Sequence, residues 1–410
     1  THIHDIGMEK VQIARLMLPD DANTAGNVHG GTLLKMIEEA GAIITTRFCN
    51  DVPDKDSFDF EPSVTTLARV ERTDFINPVH IGNVVQIVAE ITYASSHSLE
   101  CSVSVWGEDI LKGVRKLTNR AVLWFVPCSI NDPTKIMTVP EMHYSSEAEK
   151  EAGLKRYNEQ KKARTGALRR NKTLTNMNDD PYNNNEQREP EPYSPRFARS
   201  VLIHMIGVSD CTLQGFARGG VIMKLMDECA GLVAKRHCRT PAVTASLDAI
   251  NFHKKMRLGQ VVTIVGQPLF TSNKSMEIEV QVTVESITGG QINKDRACDA
   301  FFTFVSLDKQ GKPLPTPQLK LQTLEEQQLF EEGKLRYEAR KKLRKTNQKS
   351  SDTTKKSNID KSKSATSHLQ NGIDVDPTVG AQREKNKELN SKEISPKKPP
   401  SPLSCNVVQL

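Results

Sequence analysis

Aromatic residues make up only 5% of this 410-residue chain, which has two Trp, and the hydrophobic residues together reach 37%. Mean hydropathy is −0.49. These values are low for one large globule and fit compact domains diluted by polar segments. No apolar run approaches the roughly 18–20 residues that a membrane-spanning helix needs. The opening Thr1-His2-Ile3-His4-Asp5 is not a secretory signal, and without an initiator Met an upstream targeting segment stays open. The eight cysteines (49, 101, 128, 211, 229, 238, 298 and 405) contain no CxxC pair. That argues against a disulfide framework and for reduced, buried thiols of an intracellular protein. His237-Cys238 has no second close pair, so no metal is expected. GxSxG, Walker A and GxGxxG motifs are all absent, which removes serine-esterase, P-loop and dinucleotide chemistry. The net charge of +6 is mild and gathers near the C-terminus. In that basic tail the cations are not interleaved with aromatics, so no nucleic-acid partner is expected.

What the chain does have is a repeat. Ala25-Gly26-Asn27-Val28-His29-Gly30-Gly31-Thr32-Leu33-Leu34-Lys35-Met36-Ile37-Glu38-Glu39 returns 189 positions later as Gln214-Gly215-Phe216-Ala217-Arg218-Gly219-Gly220-Val221-Ile222-Met223-Lys224-Leu225-Met226-Asp227-Glu228. Further on the offset falls to 177, where Asp74-Phe75 matches Asn251-Phe252 and Ser98-Leu99-Glu100 matches Ser275-Met276-Glu277. The change places about twelve extra polar, turn-like residues between Asn50 and Pro62 of the first copy. Each copy reads as a short strand, a turn, a helix of about twenty residues and a run of β-branched strands. One long helix followed by an antiparallel sheet is an α+β architecture. The helix is apolar nearly all round, as a helix wrapped by a curved sheet must be.

The domain boundaries follow. Residues 8–160 form the first unit with a trailing charged helix, and 161–197 a flexible linker rich in Asn, Arg, Pro and Glu. Residues 198–345 form the second unit, and 346–410 a Lys/Ser-rich disordered tail. The basic tail is either simply solvated or makes weak contact with an anionic membrane.

The Gly-Gly pairs open a helix N-terminus, where free N–H groups and the dipole can polarise a carbonyl or hold an anion. The alternative is that the glycines only let another backbone approach. Glu38 and Asp227 lie mid-helix among apolar residues. A buried acid is costly unless paired or used, and burial raises its pKa toward that of a working base. Gly30 and Glu38 are eight residues apart, so about 12 Å separates them along one helix. A single reacting group cannot touch both. If the two helices pack antiparallel, each acid faces the other copy's helix start, giving composite sites Gly30/Asp227 and Gly219/Glu38. Seven residues before the first glycine stands Asn23 in one copy and Thr212 in the other. An amide can orient a water or a carbonyl oxygen, whereas Thr is shorter. Asn23, Gly30, Gly31 and Asp227 are thus expected to form the working site, and Thr212, Gly219 and Glu38 a degenerate one. Asn23 could equally serve as an Asx-turn or cap residue. The polar turns holding Ser95, Ser96 and Ser98, and Ser272, Asn273, Lys274 and Ser275, could contact phosphate or pantetheine groups. They could equally be plain hairpin turns.

The segments Pro19-Asp20-Asp21-Ala22-Asn23, Asn27-Val28-His29-Gly30-Gly31, Ala68-Arg69-Val70-Glu71-Arg72-Thr73-Asp74-Phe75, Met223-Lys224-Leu225-Met226-Asp227-Glu228 and Thr271-Ser272-Asn273-Lys274-Ser275-Met276-Glu277 resemble the cytosolic, brain-type acyl-CoA thioesterases. The resemblance covers residues 8–345 outside the middle of the linker. It implies a double hot-dog fold and hydrolysis of acyl-CoA, with long chains preferred, in the cytoplasm. Coenzyme A would belong to the substrate, with no separate cofactor. It also implies one productive site per domain pair, using Asn23 and Asp227. A homo-oligomer of three double hot-dogs or a multiple is expected. Two features depart from the family: Arg218 stands where His is usual before the second Gly-Gly, and the tail is longer. The rival readings are a hot-dog enoyl-thioester hydratase or dehydratase using His29, and a non-catalytic acyl-CoA scaffold.

Overall fold

A computed structural model describes residues 10–23, 26–53, 55–171, 190–287 and 294–342, without the side chains of 165–171. The chain divides into two units, Thr1–Glu338 and Ala339–Leu410, so both repeats lie in the first. The 346–410 tail and the middle of the linker fall outside the described residues.

The first repeat runs β1 (Val11–Leu16), α1 (Gly30–Asn50), β2 (Ser63–Val70), β3 (Thr73–Phe75), β4 (Val84–Ala94), β5 (Leu99–Asp109), β6 (Val114–Ser129) and α2 (Glu147–Asn171). After α3 (Pro195–Ala198) the second repeat gives β7 (Ser200–Met205), α4 (Gly219–Cys238), β8 (Ala242–Leu247), β9 (Ile250–Asn251), β10 (Val261–Thr271), β11 (Met276–Glu285) and β12 (Lys294–Ser306). A last helix, α5, covers 324–342. Each repeat is a long helix wrapped by an antiparallel sheet, the hot-dog arrangement, and the chain holds two of them.

The elements follow from their sequences. Along β4, buried and half-buried residues alternate without a break, the period-2 pattern of a strand with one face on the core. Leu33, Leu34, Ile37 and Ala40 of α1, and Ile222, Met226, Ala230 and Val233 of α4, are buried against these faces. Helix α4 stops at Arg239, whose left-handed φ of 57° lets its N–H cap the Lys235 carbonyl.

The two halves share one twelve-stranded sheet. Thr73 and Asp74 of β3 pair with Leu247 and Ser246 of β8. Arg69 and Val70 of β2 pair with Asn251 and Ile250 of β9. The buried Arg69 fastens this seam: one guanidinium nitrogen donates to Asn251 Oδ1 at 2.6 Å while Nε and the other hold Glu71.

The charged helices α2 and α5 dock on the outer sheet face through matching contacts. Arg156 reaches Glu100 at 2.6 Å, and Arg336 reaches Glu277 at 2.7 Å. Gly153 and Gly333 lie flat on the Tyr93 and Phe270 side chains, where an added Cβ would come within 2.4 and 2.6 Å. Helix α2 continues to Asn171, well past the boundary at 161 that the composition suggested. The polar, charged stretch reads as linker because α2 buries only a narrow strip.

Candidate active site

The chain approaches each long helix through the same loop. A 3-10 turn, Pro19–Asp21 or Val208–Asp210, ends in an acid. That acid's carbonyl then accepts the N–H of the helix N-cap residue, His29 or Arg218, at 2.8 Å in both repeats. Between them lies a tight turn. Asn23 and Thr212 each donate their backbone N–H four residues on, to Asn27 and Phe216, at 2.7 and 2.8 Å. Gly26 and Gly215 supply the positive φ values of 79° and 73° that this turn needs. Asn23 Oδ1 also accepts the Asn27 N–H at 3.3 Å, so the turn-forming reading of Asn23 is met in the structure.

The helices then pass each other antiparallel and very close. A Cβ on Gly31 would lie 2.8 Å from Lys224 Cα, and one on Gly220 would lie 3.0 Å from Lys35 Cα. The close-approach reading of the glycine pairs holds: they let the backbones approach, and by doing so they bring each acid to the other helix start. Gly30 and Gly31 meet Asp227, and Gly219 and Gly220 meet Leu67 and Glu38.

In the first composite site three groups converge on Asp227, which is completely buried. Gly31 N–H donates to Oδ2 at 2.8 Å, and His29 Nδ1 lies 3.1 Å from the same oxygen. Thr244 Oγ1 donates to Oδ1 at 2.6 Å. The positive end of the α1 dipole faces the carboxylate as well. Among the described residues no acceptor takes the Gly30 N–H. Gly30 itself lies against Thr244 and Asp227.

The second composite site has the same backbone and different chemistry. Leu67 stands where the first has Thr244. Each pairs with a Phe of the neighbouring strand (Phe125 or Phe304) just before a β-bulge, at Ala68 or Ala245. Leu67 Cδ2 would be 2.5 Å from a Cβ on Gly219, so its methyl group covers the helix start. Glu38 is 3% exposed. Burial pushes its pKa up to about 7, against the pull of Arg218 and of the Gly220 backbone at the start of α4. Its Oε2 has no hydrogen-bond partner among the described residues, and neither has Thr212 Oγ1. Arg218 replaces His29 and donates Nε to the Cys211 carbonyl at 3.4 Å.

Sequence reasoning paired each acid with the opposite glycines and missed Thr244. A Thr in a β-branched run reads as an ordinary strand residue. Aligning the repeats at the offset of 177 would have set it against Leu67. In the two polar turns, Ser95 Oγ lies 2.7 Å from Ser98 Oγ, and Ser272 Oγ lies 2.9 Å from Ser275 Oγ. These hydroxyls close their own hairpins. Among the described residues no group of three or more His, Cys, Asp or Glu could hold a metal ion.

The model of the thioesterase superfamily matches residues 25–114 and 214–290. The cytosolic acyl coenzyme A thioester hydrolase of Mus musculus is 53% identical over 327 residues, covering 80% of this chain and 82% of the relative. The protein of the same name from Homo sapiens is 54% identical over 323 residues, covering 79% and 81%. The crystal structure of an apo-hexameric acyl-CoA thioesterase is 32% identical, covering 37% of this chain and 95% of that one with a TM-score of 0.35.

Proposed function

This chain belongs to the cytosolic acyl coenzyme A thioester hydrolases of the thioesterase superfamily, and from that premise we propose that its first composite site does the hydrolysis. The chain is an acyl-CoA thioester hydrolase that releases a free fatty acid and coenzyme A. Long acyl chains are assigned as the preferred substrates. No step calls on a cofactor.

The supporting observation is the convergence of Gly31, His29 and Thr244 on Asp227, with Leu67 and an under-satisfied Glu38 at the other site. In the proposed reaction the Gly30 N–H, at the positive end of α1, polarises the thioester carbonyl. Asp227 accepts a proton from water as the water oxygen bonds to the carbonyl carbon. The tetrahedral intermediate collapses, the C–S bond breaks, and the proton passes to the departing thiolate. Thr244 and the Gly31 N–H fix the carboxylate's orientation. Asn23, in the turn that leads into α1, orients the water or the carbonyl oxygen.

The relatives are cytosolic by name, and this chain is assigned the same compartment. No described helix is long and apolar enough to cross a membrane. A homo-oligomer, three double hot-dogs or a multiple, would cover the sheet's two terminal strands, β1 and β7, where Leu16, Ile203 and Met205 are exposed. Light scattering on the purified chain tests that. The activity is tested by thiol release from palmitoyl-CoA, wild type beside Asp227→Asn. Fast release that the substitution abolishes supports the assignment, and near-normal turnover by a folded variant would refute it.

A further inference from the structure

The second composite site has lost its polar partner for the acid but opens onto a cavity of about 620 Å³. That is within the range of small-molecule sites. Its inner wall is apolar, with Leu67, Val126 and Met256 beside Gly219 at the start of α4. Its mouth is basic, formed by Lys254, Lys255 and Arg257, with Arg164 of α2 completing the rim.

These cations are held in place. Lys255 donates to the Pro133 carbonyl at 2.7 Å. Its Nζ lies 5.1 Å from the centre of the Phe216 ring, and Arg257 Cζ lies 5.3 Å from the same centre. Among the described residues Arg257 makes no ion pair, while Lys254 pairs with Asp295. The repeat explains why this mouth is unlike the first site's. The positions matching Lys254, Lys255, Arg257 and Phe216 are Asn77, Pro78, His80 and Asn27. Three cations and an aromatic platform therefore belong to the second site alone.

A basic rim over an apolar interior suits a ligand with phosphates at one end and an apolar arm at the other. Coenzyme A thioesters have that chemistry. The same site lacks the means to cleave one: Leu67 covers the helix start and, among the described residues, no hydroxyl hydrogen-bonds to Glu38. We propose that the second composite site binds a coenzyme A thioester intact, as a non-hydrolytic site in the same chain as the hydrolytic one. The inference rests on reading the first site as the hydrolytic one.

The test is calorimetric titration of the full chain with S-octyl-coenzyme A, a thioether that cannot be hydrolysed. Two molecules per chain are expected for wild type. Arg257→Glu, an exposed change outside the hydrolytic site, should weaken one of the two at least tenfold. It should leave kcat for palmitoyl-CoA unchanged. Lys255→Met should weaken the same site, which guards against a local distortion in either variant. One molecule per wild-type chain would overturn the inference. So would two that bind equally well in wild type and both variants. Thiol release by the same preparations is read separately. Its absence in wild type would sink the hydrolytic reading of the first site, whatever the stoichiometry.

Discussion

Thr244 and Leu67 occupy the same position in the two repeats, each one residue before a β-bulge and each against the first glycine of the opposite helix. Thr244 donates to Asp227 at 2.6 Å, whereas Leu67 offers Glu38 nothing. One side chain thus separates two sites whose backbones match. Thr244→Val keeps the shape and removes the donor. A hydrogen bond to a charged group contributes roughly 1.5–3 kcal/mol, so kcat for palmitoyl-CoA should fall about 10- to 100-fold. KM should change little. An unchanged kcat would remove Thr244 from the mechanism.

The acids should respond unequally. A general base contributes roughly 10²–10⁴ to the rate, so Asp227→Asn should lose at least ~100-fold. Glu38→Gln should leave thiol release near the wild-type level. Equal losses would mean that both composite sites work.

Glu38 should show instead in stability against pH. Burial raises its folded pKa from 4.5 to about 7, so the folded state holds a proton that the unfolded state releases. The stabilisation is complete below about 4.5, declines as pH rises, and is gone above about 7. The shift corresponds to roughly 3 kcal/mol at most. Relative to wild type, Glu38→Gln should therefore gain thermal stability at pH 8 but not at pH 4.5. Melting curves at the two values check this, and a pH-independent difference would contradict it.

How much of this the sequence disclosed depends on the kind of information. The repeat and the eight-residue spacing from Gly30 to Glu38 crossed the half-sites once antiparallel helices were assumed, because helix rise is fixed. Strand burial was legible in β4 because alternation reflects a single buried face. The joining of the halves was not legible. It depends on β3 meeting β8 and on Arg69 reaching Asn251, 182 residues away. Thr244 was hidden because strand propensity explains a Thr without any role. The extent of α2 was hidden because a helix that buries one narrow strip looks like linker.

The helix crossing gives a paired test. A methyl on Gly31 would meet Lys224 backbone atoms at 2.8 and 2.9 Å. Backbone cannot rotate away, so α1 and α4 must part. Gly31→Ala should cost roughly 1–3 kcal/mol of stability and reduce activity with it. Gly231→Ala is the control, since its methyl would meet Phe304 and His29 at ordinary distances of 3.8 and 3.9 Å. Denaturation midpoints that fell equally for both would show that the close crossing is not what Gly31 serves.

The trailing helix α2 depends on a buried charge. Glu100 is 1% exposed. It accepts Arg156 Nε at 2.8 Å, an Arg156 terminal nitrogen at 2.6 Å and Thr92 Oγ1 at 2.8 Å. Removing the arginine leaves a carboxylate in an apolar setting with one hydroxyl partner. Breaking such a pair from one side costs roughly 3–5 kcal/mol, and the partial exposure of Arg156 puts this case at the lower end. Arg156→Met should therefore lower the denaturation midpoint clearly. Adding Glu100→Met removes the stranded charge and should restore most of the loss. Recovery in the double variant separates an ion-pair role from packing, because Gly153 on Tyr93 and the Tyr157–Trp124 contact persist in both. If the single variant matched wild type, those ring contacts alone would be sufficient to dock the helix.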